Sequence, residues 1–185
     1  MRVEMKCLAW TIFALVLSAV ASPVGAGFAT TVPVSAETAT GIARSLFPVT
    51  LALGSEKLFL TEPAVVYVDD RRLALEFRLQ AYDHRPAQGI AISETGRARV
   101  SGEMGYDPKT RQVLLYEPRL DQLLFDRQND VTRRLQAGVQ GAWREQLSNP
   151  IRADLPPHPF IAPFREGIQD VFYQKHSIYI QVWYP

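Results

Sequence analysis

Asp126 to Leu147 reads as the longest amphipathic helix after the N-terminus, and the rest of the chain has to be arranged around it. From Phe125 the sequence runs FDRQNDVTRRLQAGVQGAWREQL. Val131, Leu135, Val139, Ala142 and Leu147 recur at helical spacing, with Arg133, Arg134, Gln140, Arg144 and Glu145 between them. Gly138, Gly141 and Ala142 are small enough to admit another backbone. Most of what precedes this helix alternates with the period of a strand, and so does the tail that follows it. The expectation is one long helix laid against, or wrapped by, an antiparallel sheet.

The clearest strand is Arg72 to Tyr82. Leu73, Leu75, Phe77, Leu79 and Ala81 point one way, and Arg72, Glu76, Arg78 and Gln80 the other. Such a pattern puts one face of a sheet in a core and leaves the other wet. Lys57 to Leu60 and Ala64 to Val68 are strand-like, with Pro63 marking a bend or bulge, and Asp69-Asp70-Arg71 is a turn. Asp83 to Thr95 reads as a longer connection. Arg97 to Tyr106 alternates again, with Ala98, Val100, Gly102, Met104 and Tyr106 inward and Arg97, Arg99, Ser101 and Glu103 outward. Asp107-Pro108-Lys109-Thr110 is a turn that leads into a strand over Gln112 to Leu120.

Upstream, Phe28 to Val34 suits a short strand, and Ser35 is placed to cap a short helix from Ala36 to Leu46. Downstream, a proline-rich link and a single helical turn near Phe164 to Gly167 lead into a hairpin of Ile168 to Tyr173 and Ile178 to Trp183. The order of elements is α+β with a mainly antiparallel sheet. The mid-chain helix and the small number of strands argue against an outer-membrane barrel.

The first residues read as an export signal. Arg2 and Lys6 precede the apolar run Cys7 to Val20, and small residues at Ala19/Ala21 and Val24/Ala26 offer two cleavage sites, the second preferred. The run is short for the ~20 residues of a spanning helix. Cys7, the one cysteine, opens the apolar run instead of ending it, so it is not placed for lipid attachment. The chain is thus divided into residues 1–26 as signal and 27–185 as a single domain, expected free in the periplasm and without disulfides. Net charge is +1 on 20 basic and 19 acidic residues, with no basic stripe for nucleic acid or polybasic membrane patch.

No catalytic or metal constellation is nominated, and no cofactor. The three histidines, His84, His158 and His176, have no ligand-spaced companions. No Gly-x-Ser-x-Gly is present, and Asp69-Asp70 reads as a solvated turn. Gly102 and Gly105 lie inside a strand, where glycine marks a bulge or the approach of another backbone, here that of the long helix.

The order and spacing of elements resemble the YceB-like family of bacterial envelope proteins over nearly all of residues 27–185. The resemblance rests on Thr31-Val32-Pro33-Val34-Ser35 leading into the first helix, on Gly105-Tyr106-Asp107-Pro108 followed by Val113-Leu114-Leu115-Tyr116 and Pro118, and on Gly167-Ile168 leading into Ile178 to Val182. It implies a half of the tubular lipid-binding fold, in which a curved antiparallel sheet rolls around the long helix and a groove between them holds an acyl chain. Many relatives carry a lipid-modified cysteine at the signal cleavage site, and this chain departs from that pattern. Candidate lining residues are Leu124, Phe125, Leu135, Val139 and Trp143, with Leu123, Leu124 and Phe125 entering the helix, and Phe77 and Met104 from the sheet. Core packing would use the same residues, because a ligand groove and a filled core are both mostly apolar. Two partners follow: a lipid or other hydrophobic ligand or, alternatively, an envelope protein that meets a sheet edge or the aromatic hairpin without a small-molecule ligand.

Overall fold

A computed structural model describes residues 27–53, 56–84 and 91–185. The expected export signal, Cys7 included, lies outside the described residues. So do residues 85–90 of the connection expected between Asp83 and Thr95. Ala29–Trp183 form one compact unit that contains every element positioning the site described below. The fold is α+β and mostly antiparallel sheet. In chain order the elements are β1 (Phe28–Val34), α1 (Ala36–Arg44), β2 (Val49–Leu53), β3 (Glu56–Tyr67), β4 (Arg72–His84), β5 (Ala91–Asp107), β6 (Gln112–Phe125), α2 (Asp130–Gln146), β7 (Ile151–Asp154), a 3-10 turn (Ala162–Gly167), β8 (Ile168–Gln174) and β9 (Ser177–Tyr184).

The strands form two sheets. Strands β2 to β7 make a six-stranded antiparallel meander in sequence order, curled into a half-barrel, and β1, β9 and β8 make a second, three-stranded sheet. Alternation along β4 is as the sequence implies: Leu73, Leu79 and Ala81 are buried, while Glu76 meets Arg99 of β5 on the opposite face. Two Glu-Pro steps break the ladder. In β3 the register shifts between Thr61 and Ala64, with Glu62 at φ 51° before Pro63. In β6 Glu117 takes φ 45° before Pro118, beside the shift between Ser101 and Glu103. Proline has no N–H for the ladder, and the extra residue bends the strand and raises its twist.

Several elements differ from the sequence expectation. Strand β6 continues to Phe125, so Leu123, Leu124 and Phe125 belong to a strand and the helix starts at Asp130 instead of Asp126. Leu123 and Phe125 are buried while Leu124 is 51% exposed, the alternation of a strand. A capping box fixes the start of α2: Thr132 N donates to Asn129 Oδ1 and Asn129 N donates to Thr132 Oγ1, each at 2.9 Å. Strands β4 and β5 pair as far as His84 and Ala91, so residues 83–84 and 91–95 of the expected connection belong to strands. Strands β2 and β7 were not anticipated; each is short and follows a proline, Pro48 and Pro150.

The glycines are also used differently. A Cβ on Gly102 would lie 2.5 Å from Leu115 Cγ and one on Gly105 2.8 Å from the Tyr116 ring, so they receive side chains of the neighbouring strand β6, not the helix. Gly141 has open space around its Cα.

The face of the six-stranded sheet turned away from α2 is covered in part. Strand β8 packs against β5, and Ala74 and Ser101, register partners on β4 and β5, are 0% and 2% exposed. Ser101 does face outward as its alternation implies, but under the second sheet, where Arg72 Nη2 donates to its hydroxyl at 3.2 Å. Tyr173 of β8 donates to Asp69 O at 2.7 Å, and Lys175 N donates to Asp70 O at 3.3 Å, tying the β8–β9 turn to the β3–β4 turn.

Both turn aspartates are stabilised as anions. Asp69 Oδ1 accepts from the N–H groups of Arg71 and Arg72, each at 2.8 Å, and Asp107 Oδ1 accepts from Lys109 N at 2.9 Å. These backbone donors hold both carboxyls below their ordinary value of 3.8. With the folded value depressed, the contribution to stability is fully present above the unfolded value and is lost as pH falls through the folded one. Carboxyl-resolved NMR titration should place both midpoints below 3.8. Asp69→Ala should remove part of the acid-side loss of stability, and midpoints at or above the ordinary value would contradict this account.

Candidate functional site

Helix α2 is seated firmly at one end only. At its N-terminus Thr132 is 1% exposed, and Asn129 Nδ2 donates at 3.2 Å to Glu94 of β5, itself 7% exposed. One turn on, Leu135 and Val139 are buried in a cluster with Leu58, Leu60, Leu79, Ala81, Ala98, Leu123 and Phe125. Further along, Ala142, Trp143 and Leu147 are only half-buried. They form one wall of a cavity of about 640 Å³, whose other wall is the sheet.

The sheet wall draws on all six strands. Val49 and Leu51 come from β2, Leu58 and Leu60 from β3, Leu75, Phe77 and Leu79 from β4, Ala98 and Val100 from β5, Leu115, Leu120 and Leu123 from β6, and Ile151 from β7. Phe47 closes one side and its ring lies 6.3 Å from that of Phe77. Ser148 and Arg152 are the two residues of the lining with charged or hydroxyl side chains. Ile151 and its register partner Leu115 both line the cavity. Apart from Ser148 and Arg152, what the walls offer is apolar contact.

The size decides how such a space can persist. At ~24 cal/mol per Å³, a sealed empty void of 640 Å³ would cost on the order of 15 kcal/mol. That is about the entire stability of a typical domain. The cavity instead opens to solvent on one side, and its volume lies within the roughly 300–1,000 Å³ range of small-molecule sites.

Of the residues nominated from sequence, Phe77, Val139 and Trp143 line the cavity. Phe125 and Leu135 sit beside it in the filled core, 5% and 2% exposed. Leu124 points to the opposite face of β6, because it alternates with Leu123 and Phe125. Met104 is half-buried on β5 and lies outside the cavity wall. Leu75, Val100, Leu115, Leu120 and Ile151 were missed. The alternation of Leu75 with Phe77 and of Val100 with Ala98 carried the signal for two of them. Leu51 and Ile151 lie on strands of five and four residues, too short to show a period.

A shallower hollow of about 300 Å³ lies on the three-stranded sheet, lined by Ala29, Gln169, Gln181, Val182 and Trp183. Among the described residues, no three His, Cys, Asp or Glu side chains come together as metal ligands, and no helix is long and apolar enough to cross a membrane. No protein-family model matches the chain, and no curated protein is significantly similar to it.

The split between filled core and open cavity has a measurable consequence. Leu135→Ala should cost about 2–5 kcal/mol in urea unfolding, because it empties a closed site. Leu124→Ala, at a half-exposed position, should change stability by no more than about 0.5 kcal/mol. Equal losses would mean that the alternation at the end of β6 is misassigned.

Proposed function

We propose that this chain is an exported, non-enzymatic binder of a lipid or another hydrophobic ligand, held in the cleft between α2 and the curled sheet. The observation that carries this reading is the open, apolar cavity under the half-seated end of α2. An apolar ligand would remove from water the leucine-rich walls that an empty cleft leaves wet, at ~25 cal/mol for each Å² covered. In this reading the sheet curls around the helix and the helix is its cover, the arrangement implied by the resemblance to YceB-like envelope proteins. An export signal over residues 1–26 would deliver the domain to the periplasm, with no lipid anchor at Cys7. The walls nominate no nucleophile with a base, which favours binding over group transfer.

Native mass spectrometry of the purified protein, followed by solvent extraction, tests the proposal. A stoichiometric apolar adduct is expected, weakened in Ala142→Phe and Val100→Phe, which narrow the cavity from its two walls. Those variants should keep the circular dichroism of the parent. A clean apo mass, unchanged after incubation with envelope lipids, would overturn the reading. It would shift the choice to a protein-interaction module, for which the exposed hairpin face at Trp183, 43% exposed, is the candidate surface.

A further inference from the structure

Resting on that reading, we infer that the cavity takes a single unbranched acyl chain with its polar head left at the rim, and not a two-chain lipid. Three observations carry this. The first is shape. The lining comes from every strand between β2 and β7, and five strand spacings of about 4.8 Å make an arc of roughly 24 Å over the curved sheet surface, against which an extended chain can lie.

The second is volume. With about 30 Å³ for a water-sized group, close to a methylene, 640 Å³ holds roughly 20 such groups. One long acyl chain fits that number, and two chains of the same length would need nearly twice the space.

The third is polarity. The sheet wall from Val49 to Leu123 contains no side-chain hydrogen-bonding group, and Ser148, just past α2, is exposed. A head group buried among the leucines would lose its hydrogen bonds without replacement, so the head stays at the Ser148 end. The chain then extends beneath Trp143 and Ala142 toward Phe77 and Phe47. Recognition is of the chain. A free fatty acid and a lysophospholipid present the same chain with different heads.

The experiment is a chain-length series on the full-length protein. Saturated fatty acids from 8 to 24 carbons would be titrated below their aggregation limits and followed by tryptophan fluorescence. Lysophosphatidylcholine and a diacyl phosphatidylcholine of matched chain length would be titrated in parallel. Each added methylene should tighten binding by about four-fold while it is still being buried, with a break at roughly 16–20 carbons, where the 640 Å³ is full. The fluorescence change should vanish in Trp143→Phe and persist in Trp183→Phe. In Ala142→Phe the break should move to a shorter chain. Binding of both the fatty acid and the lysophospholipid would show that the head is outside, and binding of the fatty acid alone would identify a free carboxylate as the head at the rim.

A continuous rise through 24 carbons, or equal one-to-one binding of the diacyl lipid, would overturn the single-chain inference and leave the cavity reading intact. Binding of an apolar fluorescent dye with no response to any chain would also overturn it alone. Failure of the dye and of every chain together would overturn both.

Discussion

The seating of Leu135 and Val139 against the inner face of the six-stranded sheet is the contact on which the rest of the site depends. A straight helix laid over a curled sheet cannot stay in contact along its whole length. Close packing at one end, with the helix start tied down by Asn129 and Glu94, sets a lift at the other end. What fills the lift is decided by side-chain size. At that end α2 presents Ala142 and the half-buried Trp143, and the sheet presents Val100, Leu75 and Leu115, and together they do not close the space. A larger residue at Ala142 would narrow that space.

The curl that makes this possible is written in the two Glu-Pro steps. Pro63 and Pro118 lie in β3 and β6, on either side of the β4–β5 pair, and each accompanies a register shift. Flat strands would let the helix settle along its length. In the curled sheet, α2 touches both β6 and the edge strand β2. One edge strand, β2, is then partly occupied by the helix and the other, β7, is only four residues long, which limits the exposed ladder that would invite further strands.

Much of this was legible in the sequence, for reasons that can be named. Strand β4, the Ser35 cap, the Pro63 bulge, the Asp107 turn and the terminal hairpin each have a local cause: period-two alternation, a short polar side chain, or a missing N–H. The boundary between β6 and α2 was not legible, because Leu123-Leu124-Phe125 continues either a strand or a helix face, and what settles it is a capping box further on at Asn129 and Thr132. Strands β2 and β7 are too short to show a period and owe their state to their neighbours. Gly102 and Gly105 are points of close approach, but what approaches is chiefly the side chains of Leu115 and Tyr116 on β6 and not the backbone of the helix. For the site, helix periodicity pointed to Val139 and strand alternation to Phe77, while Trp143 was marked only by its place near the end of the helix. Whether an apolar side chain meets another side chain or a gap depends on the curvature of the whole sheet, which no window of sequence contains.

A fold can tolerate an open cleft only if its stability comes from somewhere else, and the second sheet supplies it. Ile168, Val171 and Tyr173 of β8 and Ile178, Ile180 and Val182 of β9 are all buried. Strand β8 packs against β5, and Ala74 and Ser101 are buried on the face of the six-stranded sheet turned away from α2. The small size of those two residues lets the two sheets approach closely. Leu155 and Ile161, in the link that would otherwise be a loose connection, are 5% and 1% exposed. Apolar burial on that side and around Leu135 continues to hold the domain when the walls of the cleft are wet. The arrangement separates two tasks that a single core would set against each other. One side is packed closely and fixes the curvature of the sheet, and the other keeps its leucines available.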